Sequence, residues 1–209
     1  MSILSKSLER IKPSPTISVT QKARELKAKG ADIISLGSGE PDFDTPDNVK
    51  SAAIEAIKNG QTKYTAVDGT VDLKNAIVSK FKKENNLTYE KNQISVGAGG
   101  KQVIYNAFLA TINSGDEIII PSPFWVSYPD IVLLAGGIPK IIECGEEDNF
   151  KLTAKSLKKN ITQKTKWLII NSPGNPTGSC YSEQEINELV DVLVNCLLYT
   201  SPSPRDKTV

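Results

Sequence analysis

The sequence predicts an α/β domain built around a mainly parallel sheet. Short apolar runs alternate along the chain with longer helical patterns, which is typical of strands joined by crossover helices. Segments rich in Gly, Pro and Asn follow the apolar runs, at the carboxyl ends of strands, where such sheets bind their ligands. The chain has 209 residues, of which 39% are hydrophobic and 23% charged, so it is long enough to bury a substantial core.

The first part of the chain is predicted to be mostly helical. A polar arm precedes a helix with apolar positions at Val19, Ala23 and Leu26 and a stop signal at Gly30. The apolar run at 33–37 predicts a strand or an extended segment that ends in a loop. Two helices follow, NVKSAAIEAIKNG with Asp47 as its cap and Gly60 as its end, and VDLKNAIVSKFKKENN with Val71, Leu73, Ala76, Ile77 and Phe81 on one face.

From Gln93 onward the pattern alternates between strand and helix. The predicted strands are QISVG, the apolar part of DEIIIPSPFW, IPKIIEC and the first part of TKWLIINSPGNPTG. The predicted helices are KQVIYNAFLATI, SYPDIVLLAGG, LTAKSLKKNI and EQEINELVDVLV. Ser182 and Glu185 have the spacing of a capping box at the start of the last helix.

Charge and composition exclude several classes of protein. Lys and Arg number 25 against 24 Asp and Glu, so no basic excess indicates binding to nucleic acid or to an anionic membrane. No apolar run is long enough to cross a bilayer, and the first residues are too polar for a signal peptide. The three cysteines form no CxxC pair. We therefore expect a cytoplasmic protein with neither nucleic acid nor membrane as a partner.

The absence of histidine restricts the possible chemistry. Catalytic groups of the Ser-His-Asp or Cys-His type are excluded, as is zinc held by histidine. Three scattered thiols are a poor basis for a metal site, so no metal is expected. Any catalysis must use carboxylates, amines, hydroxyls or a bound cofactor.

The segment VGAGGK (96–101) places three glycines between a predicted strand and a predicted helix. Backbone N–H groups at such a helix start can bind phosphate. Gln102 follows Lys101 where a nucleotide-binding P-loop needs Ser or Thr, and the G-x-G-x-x-G spacing of dinucleotide sites is absent. A tight turn that simply requires glycine is the alternative.

Three other loops carry residues suited to ligand binding. Trp125 in SPFWVSYP can stack on a flat ring, or can belong to the core. Asn175 in NSPGNPTG precedes a proline that favours an extended backbone, which leaves its amide free to donate, although a simple turn is equally compatible. Gly37 and Gly39 in SLGSGEPDFDTP allow a ligand close to the backbone, or form a polar turn.

Together, these four loops have the order and spacing of the fold-type I aminotransferases. The chain resembles the class I aspartate aminotransferases, in particular a bacterial subgroup that begins with a KPS-x-T segment, here 12–16. The resemblance covers residues 1–195 and implies a partial three-layer α/β/α sandwich. It implies an N-terminal arm with part of the small domain at 1–40 and part of the cofactor-binding large domain at 41–195. The family uses pyridoxal 5′-phosphate as an electron sink to move an amino group from an amino acid to a 2-oxo acid.

The resemblance also implies roles for individual residues. Gly99, Gly100 and Lys101 match the phosphate-binding turn, and Trp125 matches the aromatic that stacks on the cofactor ring and borders the substrate. Three further cofactor and substrate positions are matched, namely Asn175 for the cofactor's phenolic oxygen and the substrate carboxylate, Gly39 for the substrate carboxylate, and Tyr64 for the phosphate of the neighbouring subunit. The role of Tyr64 implies a homodimer. Weaker candidates for the substrate's distal carboxylate are Ser14, Thr16 and the side chain of Lys101.

The chain departs from the family pattern in three places. Phe124 and Gly174 stand where Tyr and Asn or Ser are common, without disturbing an assigned ligand. The family's Schiff-base lysine, its acid beside the pyridine nitrogen and its carboxylate-binding arginine have no match before Asn195, so no catalytic residue is assigned. The run from Cys196 to Asp206 is encoded residue for residue by a DNA string that resembles a transposon sequencing adapter. We therefore expect 196–209 to be a non-native tail.

Three functions stay open at this point. The first is a pyridoxal-phosphate-dependent transaminase acting on aspartate and 2-oxoglutarate, with a prephenate-using relative of the same subgroup as its nearest variant. The second is a non-catalytic fragment that binds phosphate or cofactor weakly. The third is a module that binds adenine nucleotides through GAGGK, which the residue after Lys101 disfavours.

Overall fold

The computed structural model describes residues 3–37, 39 and 41–196. The chain forms two compact units, a smaller one of residues Pro15–Val103 and a larger one formed by the preceding residues and by the chain from Ile104 onward. Of the predicted tail, only Cys196 is among the described residues, and 197–209 lie outside them.

The smaller unit is helical, as predicted. Its helices are α1 (Pro15–Ala28), α2 (Asp47–Lys58) and α3 (Val71–Asn85), and α4 (Gly100–Thr111) begins within it. The hydroxyl of Thr70 caps α3 by accepting a hydrogen bond from the Leu73 N–H at 3.3 Å. None of the described helices has the length and apolar character needed to cross a membrane.

The predicted capping role of Asp47 is wrong. Pro46 occupies the cap position and Asp47 is the first residue of α2, with no side-chain cap bond. The Asp47 carboxylate instead pairs with Lys50 Nζ at 2.8 Å. Because proline fixes φ before the helix and a carboxylate in the first turn interacts well with the helix dipole, this start needs no hydroxyl or amide cap.

The strand predicted at QISVG (93–97) is wrong, and of the two structures predicted for the run at 33–37, a strand or an extended segment, the strand is not formed. Residues 33–36 and 94–97 are not in a strand, because within the described residues neither segment has a neighbouring strand with which to form a ladder. The backbone at Ile94 is nevertheless extended, with φ −116° and ψ 127°. The Val96 N–H donates to the Asp68 carbonyl at 3.0 Å, a loop contact in place of a sheet contact.

The larger unit contains the sheet. Its strands are β1 (Glu117–Ser122), β2 (Ile138–Glu143) and β3 (Thr165–Leu168), all parallel and in the order β2-β1-β3. Between and after them lie α5 (Ser127–Leu134), α6 (Ala154–Asn160) and α7 (Glu183–Asn195). The predicted capping box of α7 is present, since the Ser182 hydroxyl accepts from the Glu185 N–H and the Glu185 carboxylate accepts from the Ser182 N–H.

Helices cover both faces of this sheet. The side chains of Ile118 and Ile120 enter one core and Ile119 enters the other, and all three are completely buried. The first core adds residues of α4 and α5, namely Phe108, Tyr128, Ile131 and Val132, and the second adds Leu157 of α6 and Leu189 of α7. Three consecutive isoleucines suit a central strand covered on both sides, and burying each contributes about 1.5–3 kcal/mol. The predicted α/β class with a parallel sheet is confirmed.

Candidate functional site

The order of the strands creates a crevice at one edge of the sheet. The chain leaves β1 toward α5, which packs on the face of Ile118 and Ile120. It leaves β3 toward α7, which packs on the opposite face against Ile119. Because β1 and β3 are parallel neighbours, their outgoing loops diverge at the same edge. Such a switch point is where open α/β sheets bind ligands.

Loops from all three strands line this crevice. The residues at its wall are Ile120, Pro121, Pro123, Phe124, Tyr128, Phe150, Lys151, Ile169, Asn171, Gly174, Asn175, Thr177, Ser179 and Tyr181. The structure thus brings Asn175 to the same crevice as Phe124 and Tyr128, the near neighbours of Trp125 in sequence. The sequence predicted Asn175 here but did not single out Lys151, Phe150 or Tyr181.

Trp125 lies in the loop between β1 and α5 and is partly buried. Its ring meets that of Tyr128 edge to face, with centroids 5.3 Å apart and planes at 86°, and it packs on the first core. Burial raises the pKa of Tyr128, which keeps its phenol neutral. Trp125 therefore has a packing role on one side, and its role toward a ligand stays a prediction.

The loop between β3 and α7 is folded by its own polar groups. The Asn175 N–H donates to Asn171 Oδ1 at 2.9 Å, and the Gly174 N–H donates to the Ser179 carbonyl at 2.8 Å. The Gly178 N–H donates to the Gly174 carbonyl at 2.7 Å. The Asn175 side chain is exposed and has no hydrogen bond to any described residue. Its amide is therefore available to a ligand, and its role in binding one stays a prediction.

A strained turn places Lys151 beside this loop. Asn149 and Phe150, which precede Lys151, both have left-handed backbones, with φ of 51° and 58°. This conformation costs free energy for a bulky residue such as Phe150, which keeps it only where the surrounding structure fixes it. The Phe150 N–H donates to the Gly145 carbonyl at 2.8 Å, which closes the turn.

In the smaller unit, the predicted phosphate-binding turn is the start of α4. Gly99 has φ +86°, a left-handed backbone that favours glycine. The Ala98 N–H donates to the side-chain oxygen of Gln102, which folds the turn onto the helix. A Cβ at Gly97 would lie 2.8 Å from Val103 Cγ2, so this glycine is needed for packing. A Cβ at Gly100 would meet no atom within 4 Å, so packing does not require glycine there.

The remaining predicted residues of the smaller unit lie on exposed surface. Tyr64 is fully exposed, and a Cβ at Gly39 would meet nothing within 4 Å. Thr16 lies on α1, where it lines a shallow hollow with Ile17, Thr20, Gln21 and Arg24. Ser14 is partly buried and belongs to the larger unit. No structural result here tests the role predicted for any of these residues.

The loop that carries Tyr64 is held at its end by an ion pair. Lys74 is the one buried residue of the described part of the smaller unit, and its ammonium donates to the Asp68 carboxylate. This hydrogen bond lowers the pKa of Asp68. A Cβ at Gly69, which has φ +108°, would come within 2.7 Å of Val96 Cγ2. The loop ending at Gly69 therefore packs closely on the segment that leads into the glycine turn.

A parallel sheet with a crevice at its switch point is the architecture in which open α/β proteins bind their ligands, and the relatives of the chain identify its family. Residues 31–200 match the family "Aminotransferase class I and II". The chain belongs to this family of transaminases.

Relatives in sequence and structure have closely similar names. The chain is 61% identical over 193 residues to a "Probable aspartate/prephenate aminotransferase" of Rickettsia bellii. The aligned residues make up 92% of this chain and 48% of that protein. It is 59% identical over 194 residues to the "Aspartate/prephenate aminotransferase" of Cereibacter sphaeroides, covering 93% and 48%. The chain spans about half the length of the curated relatives it matches.

Solved structures share the fold. The aspartate aminotransferase of Rhizobium meliloti superposes with a TM-score of 0.89 at 44% identity, over 94% of this chain and 49% of that one. The aspartate aminotransferase of Thermus thermophilus with maleate gives 0.90 at 42% identity, over 93% and 51%. The similarity extends over nearly the whole described chain.

Proposed function

We propose that the whole protein is a pyridoxal-phosphate-dependent transaminase that moves the amino group of aspartate to 2-oxoglutarate. The observation that carries this proposal is the family match over 31–200, together with a switch-point crevice that presents the Asn175 amide. Because the chain spans about half of its relatives, the proposal concerns the longer protein. Prephenate is the second candidate for the amino acceptor, supported by the names of the relatives.

The residues present fit pyridoxal 5′-phosphate. Gly100 at the start of α4 has open space where a side chain would stand, as a site for a phosphate requires. Asn175 offers a side-chain amide that makes no hydrogen bond to a described residue, and Trp125 offers an aromatic ring in the loop between β1 and α5, next to Phe124 of the crevice wall. When bound, the cofactor supplies an electron sink for the bond-breaking at the amino-acid α-carbon.

The chain's own residues would bind the cofactor and orient it. The N–H groups of Gly100 and Lys101 would hold the phosphate, with Gly99 shaping the turn and the dipole of α4 assisting. Trp125 would cover the ring face, and the Asn175 amide would donate to the ionised ring oxygen.

The substrate and the partner subunit would use the remaining predicted residues. The Gly39 backbone and the Asn175 amide would meet the α-carboxylate of the amino acid. Ser14, Thr16 and the Lys101 side chain are candidates for its second carboxylate. We propose a homodimer, with the fully exposed Tyr64 reaching the phosphate of the neighbouring subunit. We further propose a small-domain part at 1–40, a large-domain part at 41–195 and a cytoplasmic location.

Reductive trapping tests the cofactor assignment. The full-length protein is incubated with pyridoxal 5′-phosphate, reduced with borohydride and mapped by peptide mass spectrometry. We expect one modified lysine, located beyond residue 195, and no competition by ATP. Modification of Lys101, or none in folded protein, would contradict the proposal, and competition by ATP would favour a nucleotide site at the glycine turn.

A further inference from the structure

Three residues hold the ends of the loop that carries Asn175, two of them outside the loop and one at its end. Asn175 lies within a loop that begins after β3 and ends at Ser182, the cap of α7. Three residues join the ends of this loop to one another and to the segment after β2, namely Lys151, Tyr181 and Glu185. We call these three residues the loop clamp.

Lys151 joins the segment after β2 to the end of the loop. Its Nζ donates to Glu185 Oε1 at 2.5 Å and to the Cys180 carbonyl at 3.3 Å. It also lies 5.9 Å from the centre of the Tyr181 ring, within the range of a cation–π contact. The Lys151 side chain is only 15% exposed, so its charge is poorly screened and depends on these partners.

Tyr181 makes the second set of connections. Its hydroxyl accepts a hydrogen bond from the Leu152 N–H at 2.8 Å. Its own N–H donates to Ser172 Oγ at 3.1 Å, which joins the end of the loop back to its beginning. Tyr181 thereby fixes both ends of the loop to the residue that follows Lys151.

Glu185 completes the clamp from α7. Its carboxylate accepts from Lys151 and from the Ser182 N–H, so one side chain serves both the ion pair and the helix cap. These bonds lower the pKa of Glu185 to about 2, with the Lys151 bond as the largest cause. The carboxylate is therefore ionised at neutral pH.

We propose that Lys151, Tyr181 and Glu185 are positioning residues that hold the Asn175 amide at the crevice. They act through the loop, because they contact its ends and the crevice wall while Asn175 lies between those ends. This inference rests on the proposed function for the role of Asn175. It goes beyond it by assigning three residues that the sequence pattern did not single out.

Hydrogen exchange of the full-length protein without cofactor tests the clamp directly. In Lys151→Met we expect the amides of Gly174, Asn175 and Gly178 to exchange about tenfold faster, while that of Ile119 in β1 is unchanged. Glu188→Gln is the matched control, because Glu188 lies one turn along α7 and, among the described residues, accepts only from Gln184, at 2.9 Å. Equal acceleration in the loop and in β1 would show a general structural role and overturn the inference.

A double-mutant cycle on the spectrum of the bound cofactor tests action through Asn175. Loss of the donor in Asn175→Ala should raise the pH of the absorbance transition by about one to two units. Lys151→Met should raise it by roughly half a unit. Adding Lys151→Met to Asn175→Ala should then raise it no further. Additive shifts, or no shift in Lys151→Met, would overturn the inference.

A substitute variant and the spectrum of the unaltered protein distinguish the possible outcomes. If Lys151→Met does not fold, Tyr181→Phe takes its place in both measurements. This variant removes only the hydroxyl that accepts from the Leu152 N–H. If the unaltered protein shows no cofactor spectrum, the proposed function fails and this inference fails with it. If that spectrum is present but the clamp variants leave it unchanged, only this inference fails.

Discussion

At the scale of single residues, the glycines before and at the start of α4 differ in whether the fold requires them. Gly97 is fixed by packing against Val103, and Gly99 by its left-handed backbone. Gly100 has neither constraint, since a Cβ there would meet nothing within 4 Å. A phosphate at the start of α4 would explain this glycine, because an added methyl group would stand beside the bound group.

Gly100→Ala should weaken the binding of pyridoxal 5′-phosphate in the full-length protein without lowering its stability. Alanine is the better residue within a helix, by about 1 kcal/mol, so the melting temperature should hold or rise. Gly99→Ala is the comparison, because its left-handed backbone should cost about 1–2 kcal/mol. Cofactor affinity measured by fluorescence would contradict the assignment if Gly100→Ala bound as tightly as the unaltered protein.

Trp125 should contribute to both packing and cofactor binding. Trp125→Ala loses the edge-to-face contact with Tyr128 and any stacking on the ring, each on the order of 1 kcal/mol beyond the buried area. Trp125→Phe should keep most of both. If Trp125→Ala lowers only the unfolding temperature and leaves the cofactor's affinity and spectrum intact, Trp125 is a core residue only.

At the scale of elements, the Lys151–Glu185 pair should make stability depend on acid pH. The folded pKa of Glu185, about 2, lies below its ordinary value of 4.5. The stabilisation is therefore complete above about pH 4.5 and is lost as the pH falls from there toward 2. Burial raises the pKa of the neighbouring Tyr181 and Cys144, so both stay neutral over this range.

Thermal unfolding of Lys151→Met and of the unaltered protein, from pH 7 to pH 3, would measure this effect. The difference in melting temperature should be constant down to about pH 5 and then shrink. Other carboxylates with lowered pKa, such as Asp116 and Glu117, titrate in both proteins and cancel. A difference that does not change with pH would show that Glu185 keeps its charge without help from Lys151.

The elements that could be predicted from sequence are those whose signals are local. The capping box at Ser182 and the isoleucine run of β1 are each contained in a few residues, and the structure confirms both. The strand predicted at 93–97 and the strand alternative at 33–37 are not formed, because a strand needs a partner and the described residues supply none. The ion pair of Lys151 with Glu185 joins residues 34 apart, and no local pattern indicates it.

At the scale of the molecule, the smaller unit depends on contacts that its own residues do not provide. None of its described apolar side chains is buried, and Ile34, Leu36 and Phe43 are each more than 85% exposed. β2 and β3 each present an outer edge that no described strand pairs. Exposed apolar surface and open edges favour association with other chains.

The 209-residue chain expressed alone should therefore aggregate or unfold without cooperativity, and should have no transaminase turnover. We expect the family's cofactor-binding lysine to lie beyond Asn195, in which case proton transfer at the α-carbon would lack its base in this chain. Light scattering, calorimetry and an assay with aspartate and 2-oxoglutarate would check this. Soluble, cooperatively unfolding protein with turnover would contradict it.

The most direct test of the central claim is transfer of a labelled amino group by the full-length protein. With pyridoxal 5′-phosphate, [¹⁵N]aspartate and 2-oxoglutarate, we predict equal amounts of oxaloacetate and [¹⁵N]glutamate. Replacing 2-oxoglutarate by prephenate decides whether that acceptor also receives the label. Folded protein saturated with the cofactor that moves no ¹⁵N from aspartate to either acceptor would contradict the account.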